Sequence, residues 1–379
     1  MPAVYLDNCA TTKVCEEAAS KALFAMTAAY GNPSSLHGMG IEAEAILREA
    51  RDNISKALKS TPGEIYFTSG GTESNNLALF GAAEARRRRG RRIVTTMIEH
   101  PSVAEPINRL EKEGFEVIRL KPGADGIVRE NDIISAVTPD TILISLMLVN
   151  NETGAIQPVA AARRAVRAAG APALIHCDAI QAFGKLEFSP LTVGADLISL
   201  SAHKIHAPKG AGALYISKSA KIVPGVFGGG QENGLRPGTE PVPAIAGFGE
   251  AVKIAFERMS ETNLQMESLK KYCTQLLSEM PFITINSPKH SAPHILNISV
   301  GGIRSEIMMH HLASKGIYVS TGSACSRGKR SSVLAAQGLP DDRIDTSLRI
   351  SFSRFSKMDD VRVLASEIAA GERSLAHIR

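Results

Sequence analysis

Ile142-Leu143-Ile144-Ser145-Leu146-Met147-Leu148 decides how this chain is read. The run is nearly all apolar, so both of its faces must be covered, as in a strand buried inside a parallel sheet with helices on each side. Outward from it, between about residue 60 and residue 220, short β-branched segments alternate with longer ones at helical spacing. The short segments are 64–68, 92–96, 116–120, 141–148, 173–177, 197–201 and 211–216, and the longer ones are 73–88, 102–113 and 159–169. This alternation predicts βαβ units and an α/β fold with a mainly parallel sheet. The loop between the last two strands contains Pro and Gly and is too short for a crossover helix, so that pair is expected to be antiparallel.

Beyond the sheet, 227–243 is rich in Gly and Pro, and 244–280 has the spacing of one or two long helices. Short strands are expected around 292–300, a helix near 306–315, and a strand–helix pair over 347–370. At 379 residues the chain exceeds one ordinary core. The expected division is a large domain over 15–254 and a smaller α+β domain made of 1–14 and 255–379. The extended N-terminus packs with the smaller domain or between the two.

Hydrophobic residues make up 44% and charged residues 21%, which excludes a disordered chain. Much of the net charge of +5 comes from Arg86-Arg87-Arg88-Arg89 with Arg91 and Arg92, a pattern expected of a solvated helix end before a strand. No nucleic-acid partner is expected, because basic residues are not spread over a face with interleaved aromatics. No membrane partner is expected either: no apolar run approaches ~20 residues. The N-terminus lacks a basic segment followed by an apolar one, so no signal peptide is expected. Five cysteines, Cys9, Cys15, Cys177, Cys273 and Cys325, are widely spaced with no C-x-x-C pair, so neither a metal site nor a disulfide framework is expected. The simplest setting is the reducing cytoplasm.

Chemistry-bearing residues follow successive strands. Ser201-Ala202-His203-Lys204 closes one, although a lysine there could be a snorkelling surface residue. Asp178 follows another, with Gln181 shortly after. A carboxylate at the carboxyl end of a parallel strand lies where open α/β sheets bind ligands, and it suits the protonated nitrogen of a pyridine ring. Gln181 could donate to that ring's phenolic oxygen, while the ordinary reading makes Asp178 a helix cap. Thr68-Ser69-Gly70-Gly71-Thr72-Glu73 turns from strand to helix and suits a single small phosphate, with Thr72, Ser201 and His203 as added donors. It matches neither nucleotide-binding glycine pattern. Glu99-His100 offers an imidazole to stack on a ring or move protons, and a lone histidine is otherwise structural. Asn150-Asn151-Glu152-Thr153-Gly154 is otherwise a turn. Cys325 sits among small polar residues, Ser320 to Gly328, with Arg327, Lys329 and Arg330 nearby to favour its thiolate. Cys177, inside a strand, is expected to be inert.

Together these segments resemble the cysteine desulfurases of the class V pyridoxal-phosphate-dependent aminotransferase family, nearly end to end. The blocks are Leu6 to Thr12, Gly31 to His37, Thr68 to Asn75, Glu99-His100, Val149 to Gly154, His176 to Gln181, Ser201 to Lys204 with Pro208-Lys209-Gly210, and Gly228 to Glu232. The resemblance implies a PLP-dependent transferase of the aspartate aminotransferase-like kind, fold type I. It implies pyridoxal 5'-phosphate as cofactor, carried as a Schiff base on Lys204. Asp178 would meet the pyridine nitrogen, Gln181 the ring oxygen and His100 the ring face, with a share in acid–base steps. Gly71, Thr72, Ser201 and His203 would hold the phosphate. Arg236-Pro237-Gly238-Thr239 resembles the family's R-S-G-T segment, with Pro237 in place of serine; its threonine reaches the phosphate of the other subunit, which implies a homodimer. Ser347-Leu348-Arg349-Ile350-Ser351 implies that Arg349 clamps the substrate carboxylate, with Asn151 close by. Ser320 to Cys325 resembles the loop whose cysteine takes sulfur from L-cysteine as a persulfide, releasing L-alanine. The implied partner is a sulfur-acceptor protein, an iron–sulfur cluster assembly scaffold being one candidate. Other class V activities, an aminotransferase or a selenocysteine lyase, are the alternatives.

Overall fold

The structure is a computed structural model and describes residues 3–321 and 330–377. Its strands are β1 (Val4–Tyr5), β2 (Ile65–Thr68), β3 (Arg92–Thr96), β4 (Glu116–Leu120), β5 (Thr141–Met147), β6 (Leu174–Asp178), β7 (Leu197–Ser201), β8 (Gly212–Ile216), β9 (Ile283–Ile285), β10 (Ile295–Val300), β11 (Ile317–Tyr318) and β12 (Ser347–Ser351). Seven of them form one sheet in the order β2-β8-β7-β6-β5-β3-β4. All its pairings are parallel except those of β8, which runs against both β7 and β2. The antiparallel pair expected at residues 197–216 is therefore present. Every residue of β5, β6, β7 and β8 is buried, as helix-covered strands require.

Polar groups inside this sheet are paired across strands. His176 Nδ1 meets Ser145 Oγ and its Nε2 meets Ser199 Oγ, both at 2.9 Å. Burial lowers the His176 pKa to about 3, so the ring is neutral and fits between two hydroxyls that can each donate or accept.

Four helices matter for the site: α1 (Glu16–Thr27), α2 (Gly38–Leu58), α3 (Gly71–Arg86) and α4 (Pro101–Lys112). Helix α3 starts earlier than its apolar spacing suggests, because its first turn is glycine and polar. It ends in the arginine run, which is solvated: Arg87, Arg88 and Arg89 are exposed, and Arg92 pairs with Glu116.

The apolar interior divides into the packing on the two faces of the seven-stranded sheet and, separately, a cluster built by the later part of the chain. The second contains the sheet β12-β10-β9 and the helices Met259–Ser278, Ser305–Ser314 and Met358–Ser374. The helical stretch expected over 244–280 is two helices, Val242–Glu257 and Met259–Ser278, broken at Arg258. The N-terminus packs with the second cluster. β1 pairs in parallel with β11, and Leu6, fully buried, belongs to that cluster. Among the described residues no helix is long and apolar enough to cross a membrane.

Candidate active site

β2, β3, β5, β6 and β7 all point their carboxyl ends to one edge of the sheet, where open α/β sheets place their ligands. The loops that leave this edge carry Gly71 and Thr72, His100, Asn151, Gln181, and His203 with Lys204. Asp178 is the last residue of β6 rather than the residue after it. Its register partners Met147 and Ser199 fix it as firmly as any strand residue.

Asp178 Oδ1 accepts from the Ile180 N–H (3.0 Å), and Oδ2 accepts from Asn75 Nδ2 (2.8 Å). Asn75 lies on the buried face of α3, one turn in from the phosphate-type loop. Its amide also donates to Ser102 Oγ at 2.8 Å. Lys204 Nζ donates to the carbonyls of Cys9 and Ala10, and Gln181 Nε2 donates to Cys9 O (3.1 Å). The N-terminal loop thus holds the lysine and the glutamine from one side. A second buried lysine, Lys185, donates to Lys204 O at 3.0 Å. Burial first, then the Lys204 charge, lowers its pKa to about 8. His203 Nδ1 meets Thr11 Oγ1 (3.1 Å), and burial, with the Lys204 charge next, lowers its pKa to about 4. Glu99 is buried, and desolvation raises its pKa to about 8.

The phosphate-type loop is built for close approach. Helix α3 has no side-chain cap, so its first N–H groups are free for an anion. A Cβ on Gly71 would lie 2.2 Å from Ile180 Cδ1 and 3.4 Å from Ser201 Cβ, so a larger residue there would need the Ile180 side chain to turn away. A Cβ on Gly212 would lie 2.6 Å from Gly70 Cα. Thr72 is exposed beside this turn. Two buried polar atoms at the edge, Ser201 Oγ and Gln181 Oε1, have no hydrogen-bond partner. Buried polar atoms are rarely left unpaired, so orphans at a ligand-binding edge mark where a polar ligand belongs.

On the facing wall, Arg349 projects from β12 and is 3% exposed. Nη2 pairs with Asp7 Oδ1 (2.8 Å), Nη1 donates to Asn151 O (3.0 Å), and Nε is buried with no partner. Arg349 and Asn151 are therefore adjacent. Cys325 lies outside the described residues. The described flanks of its segment reach the same wall. Ser320 exchanges backbone hydrogen bonds with Arg349 (2.6 and 3.2 Å), and Ser331 Oγ bonds the carboxylate of Glu152, next to Asn151. Thr239 is not brought to these residues. It is exposed in the loop before helix Val242–Glu257, and that loop is tied back by Arg236 Nε to Glu73 (3.0 Å). Cys177 is fully buried, and burial pushes its thiol well above the ordinary range, as an inert cysteine requires. No local pattern in the sequence assigns a role of their own to Asp7, Asn75, Ser102, Glu99 or Lys185.

The fold and this edge define the class: the Aminotransferase class-V family model matches residues 4–364, and the chain belongs to that family of pyridoxal-phosphate enzymes. Its relatives are more particular. The chain is 40% identical over 366 residues to the cysteine desulfurase IscS of Methanosarcina thermophila, covering 96% of this chain and 90% of that one. It is 40% identical over 366 residues to the cysteine desulfurase IscS of Photorhabdus laumondii, covering 94% and 90%. Among solved structures, a NifS-like protein superposes with a TM-score of 0.93 at 38% identity, covering 98% of this chain and all of the other. The fold is accordingly that of the fold type I PLP-dependent transferases.

Proposed function

We propose that this protein is a cysteine desulfurase, converting L-cysteine to L-alanine and passing the sulfur on as a persulfide of Cys325. The observation that carries the reading is where the Cys325 segment is anchored. Its described flanks, Ser320 and Ser331, meet the wall that holds Arg349 and Asn151, facing the sheet edge with Lys204 and Asp178.

The residues at the edge fit pyridoxal phosphate. The uncapped start of α3 at Gly71, with Thr72, Ser201 and His203, would hold its phosphate. Asp178 would meet its ring nitrogen, Gln181 its phenolic oxygen and His100 its face, and Lys204 would hold its aldehyde carbon. When bound, the cofactor supplies an electron sink for negative charge at the amino acid's Cα. Asp178 keeps a proton on the ring nitrogen, held in line by Ile180 N–H and Asn75. Arg349 and Asn151 orient the substrate carboxylate. Lys204 Nζ takes the Cα proton, with His100 beside it for acid–base steps. The Cys325 thiolate attacks the substrate sulfur: an S–S bond forms and the Cβ–S bond breaks. That electron pair passes to Cβ, which gains a proton as the methyl group of alanine, and Lys204 Nζ returns a proton to Cα.

The two apolar clusters support a division into a large unit, 15–254, and a small one, 1–14 with 255–379. A homodimer is proposed on two grounds. Leu23, Phe24, Met26, Tyr30 and Leu36 leave a run of large apolar side chains exposed on α1 and beyond it. The exposed Thr239 would meet the phosphate only in a second copy. The acceptor is a sulfur-carrying protein, an iron–sulfur cluster scaffold fitting the role, and the setting is the cytoplasm.

The test is alanine release from L-cysteine by wild type and Cys325→Ala, with cofactor retention read from the visible spectrum. Retained cofactor in both and alanine from wild type alone is the expected result. Ordinary turnover by Cys325→Ala ends the role given to that cysteine. Cofactor in both with no cysteine turnover leaves an aminotransferase to be sought with other amino donors.

A further inference from the structure

We propose that Ser102 and Asn75 are positioning residues that fix His100 as a neutral imidazole carrying its proton on Nε2, and that they couple this state to Asp178. The inference rests on the reading of this edge as the cofactor site.

His100 is the N-cap of α4, and its side chain does the capping. The backbone N–H of Ser102 donates to Nδ1 at 3.1 Å. A backbone N–H has no lone pair, so Nδ1 must be the acceptor and the proton must sit on Nε2. The Ser102 hydroxyl lies 2.8 Å from the same Nδ1. Its own oxygen accepts from Asn75 Nδ2, which frees its hydrogen to donate to His100. The orientation of Asn75 is also settled: its other Nδ2 hydrogen goes to Asp178 Oδ2 at 2.8 Å, and a carboxylate accepts only from the nitrogen side of an amide. Donors run in one direction, from Asn75 to Asp178 and from Asn75 through Ser102 to His100. Reversing any link sets two donors or two acceptors against each other.

Protonation of His100 would turn Nδ1 into a donor facing a backbone N–H and a hydroxyl, at the positive end of a helix. Surrounding charges do not cancel this. Burial lowers the pKa most; Asp178 from β6 favours the cation, while Lys204 beyond β7 and Arg349 on β12 oppose it. Glu99 turns away, bonding Thr96 Oγ1 and Met147 N. The ring therefore faces the site as an Nε2–H donor. Such a group can hold a proton at Nε2 or lean on a planar ring without bringing a second positive charge next to Lys204. Asn75 ties the orientation of Asp178 to the same network, so the carboxylate and the imidazole are set by one chain of hydrogen bonds.

The test uses the full-length holoenzyme with 15N-labelled histidine. Long-range proton–nitrogen spectra report which ring nitrogen carries the proton, and His100→Gln identifies the His100 signals. Wild-type His100 is expected to be protonated on Nε2 alone and to take up a second proton only at a lower pH than an ordinary histidine. In Ser102→Ala the His100 titration is expected to move up by about half a pH unit or more, and the acid limb of the alanine-release profile with it. Ser102→Thr, which keeps the hydroxyl, should restore both. A proton on Nδ1 in the wild type, or a His100 titration unmoved in Ser102→Ala, overturns the proposal. Absence of alanine release from cysteine would instead count against the activity, because the tautomer is read without turnover.

Discussion

The two sides of this site are built in different ways. On the sheet side, side chains do the work: Asp178 and Ser201 end strands whose register fixes them, and Lys204, Gln181 and His100 stand in the turns that follow strands. On the opposite side, the loop from Leu6 to Thr12 works largely through its backbone. The Cys9 and Ala10 carbonyls hold Lys204, and Cys9 O also takes Gln181. That loop is itself stitched to both apolar clusters. Asn8 Nδ2 and the Cys9 N–H bond Ser351 (2.8 and 2.9 Å), while Thr12 Oγ1 donates to His203 O and accepts from His206 N (2.9 and 2.8 Å). A sheet edge can fix a side chain through strand pairing. A loop needs anchors at both ends before its carbonyls are worth anything as ligands. The sheet side should therefore fail by losing chemistry, and the loop side by losing order.

The largest effect belongs to the sheet side. Lys204→Ala should lower alanine release by about 10³-fold or more, since a positioned acid–base group alone is worth about 10²–10⁴. The protein should stay folded by circular dichroism but lack the visible band of the bound cofactor. A folded variant with near-normal turnover would remove Lys204 from the mechanism. On the loop side, Asp7→Asn strips a buried guanidinium of its charge partner and should cost about 3–5 kcal/mol in denaturant unfolding. Unchanged stability would show that the loop is not held through Arg349.

Glu99 sharpens the contrast through pH. Its folded pKa is raised to about 8 from an ordinary carboxyl value near 4.5. Between those values the folded state keeps a proton that the unfolded chain has lost. The stability this group allows is therefore full below about pH 4.5 and lost as pH rises through about 8. Glu99→Gln should flatten the decline in unfolding free energy from about pH 5 to 8, leaving the variant the more stable at the upper end. A decline of equal slope in both proteins would show that Glu99 is ionised in the fold. The smallest effect is Tyr5→Phe. Its exposed hydroxyl donates to Thr11 O at 2.8 Å, and the loss should be about 0.5–1 kcal/mol. A much larger loss would make that tie the main anchor of the loop.

The same contrast explains what the sequence discloses. The seven strands of the sheet lie within a residue or so of their short runs, and in β5 to β8 burial on both faces leaves no polar alternation to mislead. Asp178, Lys204 and Gly71 are legible because a reactive residue type stands at a strand end. The N-terminal loop is not legible in this way, since every residue owns a carbonyl and only the fold decides which ones matter. In sequence, Asn75 and Ser102 are ordinary polar residues of a helix and a helix start. Their meaning comes from three elements meeting, β6, α3 and α4, which no local pattern announces. The Arg51–Glu232 pair is of the same kind. It joins α2 to a loop far along the chain, with Glu232 held at φ 46 and also accepting from Phe67 N.

One consequence follows from β1 and the loop after it for how the protein comes off the ribosome. This segment is held by residues made more than 300 positions later: β1 by Ile317–Tyr318, Asp7 by Arg349, and Asn8 by Ser351. At about 5–20 residues per second, the N-terminal segment waits tens of seconds for its partners to emerge. The seven-stranded sheet is complete in sequence by Ile216, so it can form during that wait, with Lys204 in place but its carbonyl clasp still open. The N-terminal clasp thus closes only after β12 has been made, and a chain truncated before β12 would carry the sheet edge without the Arg349 wall that faces it.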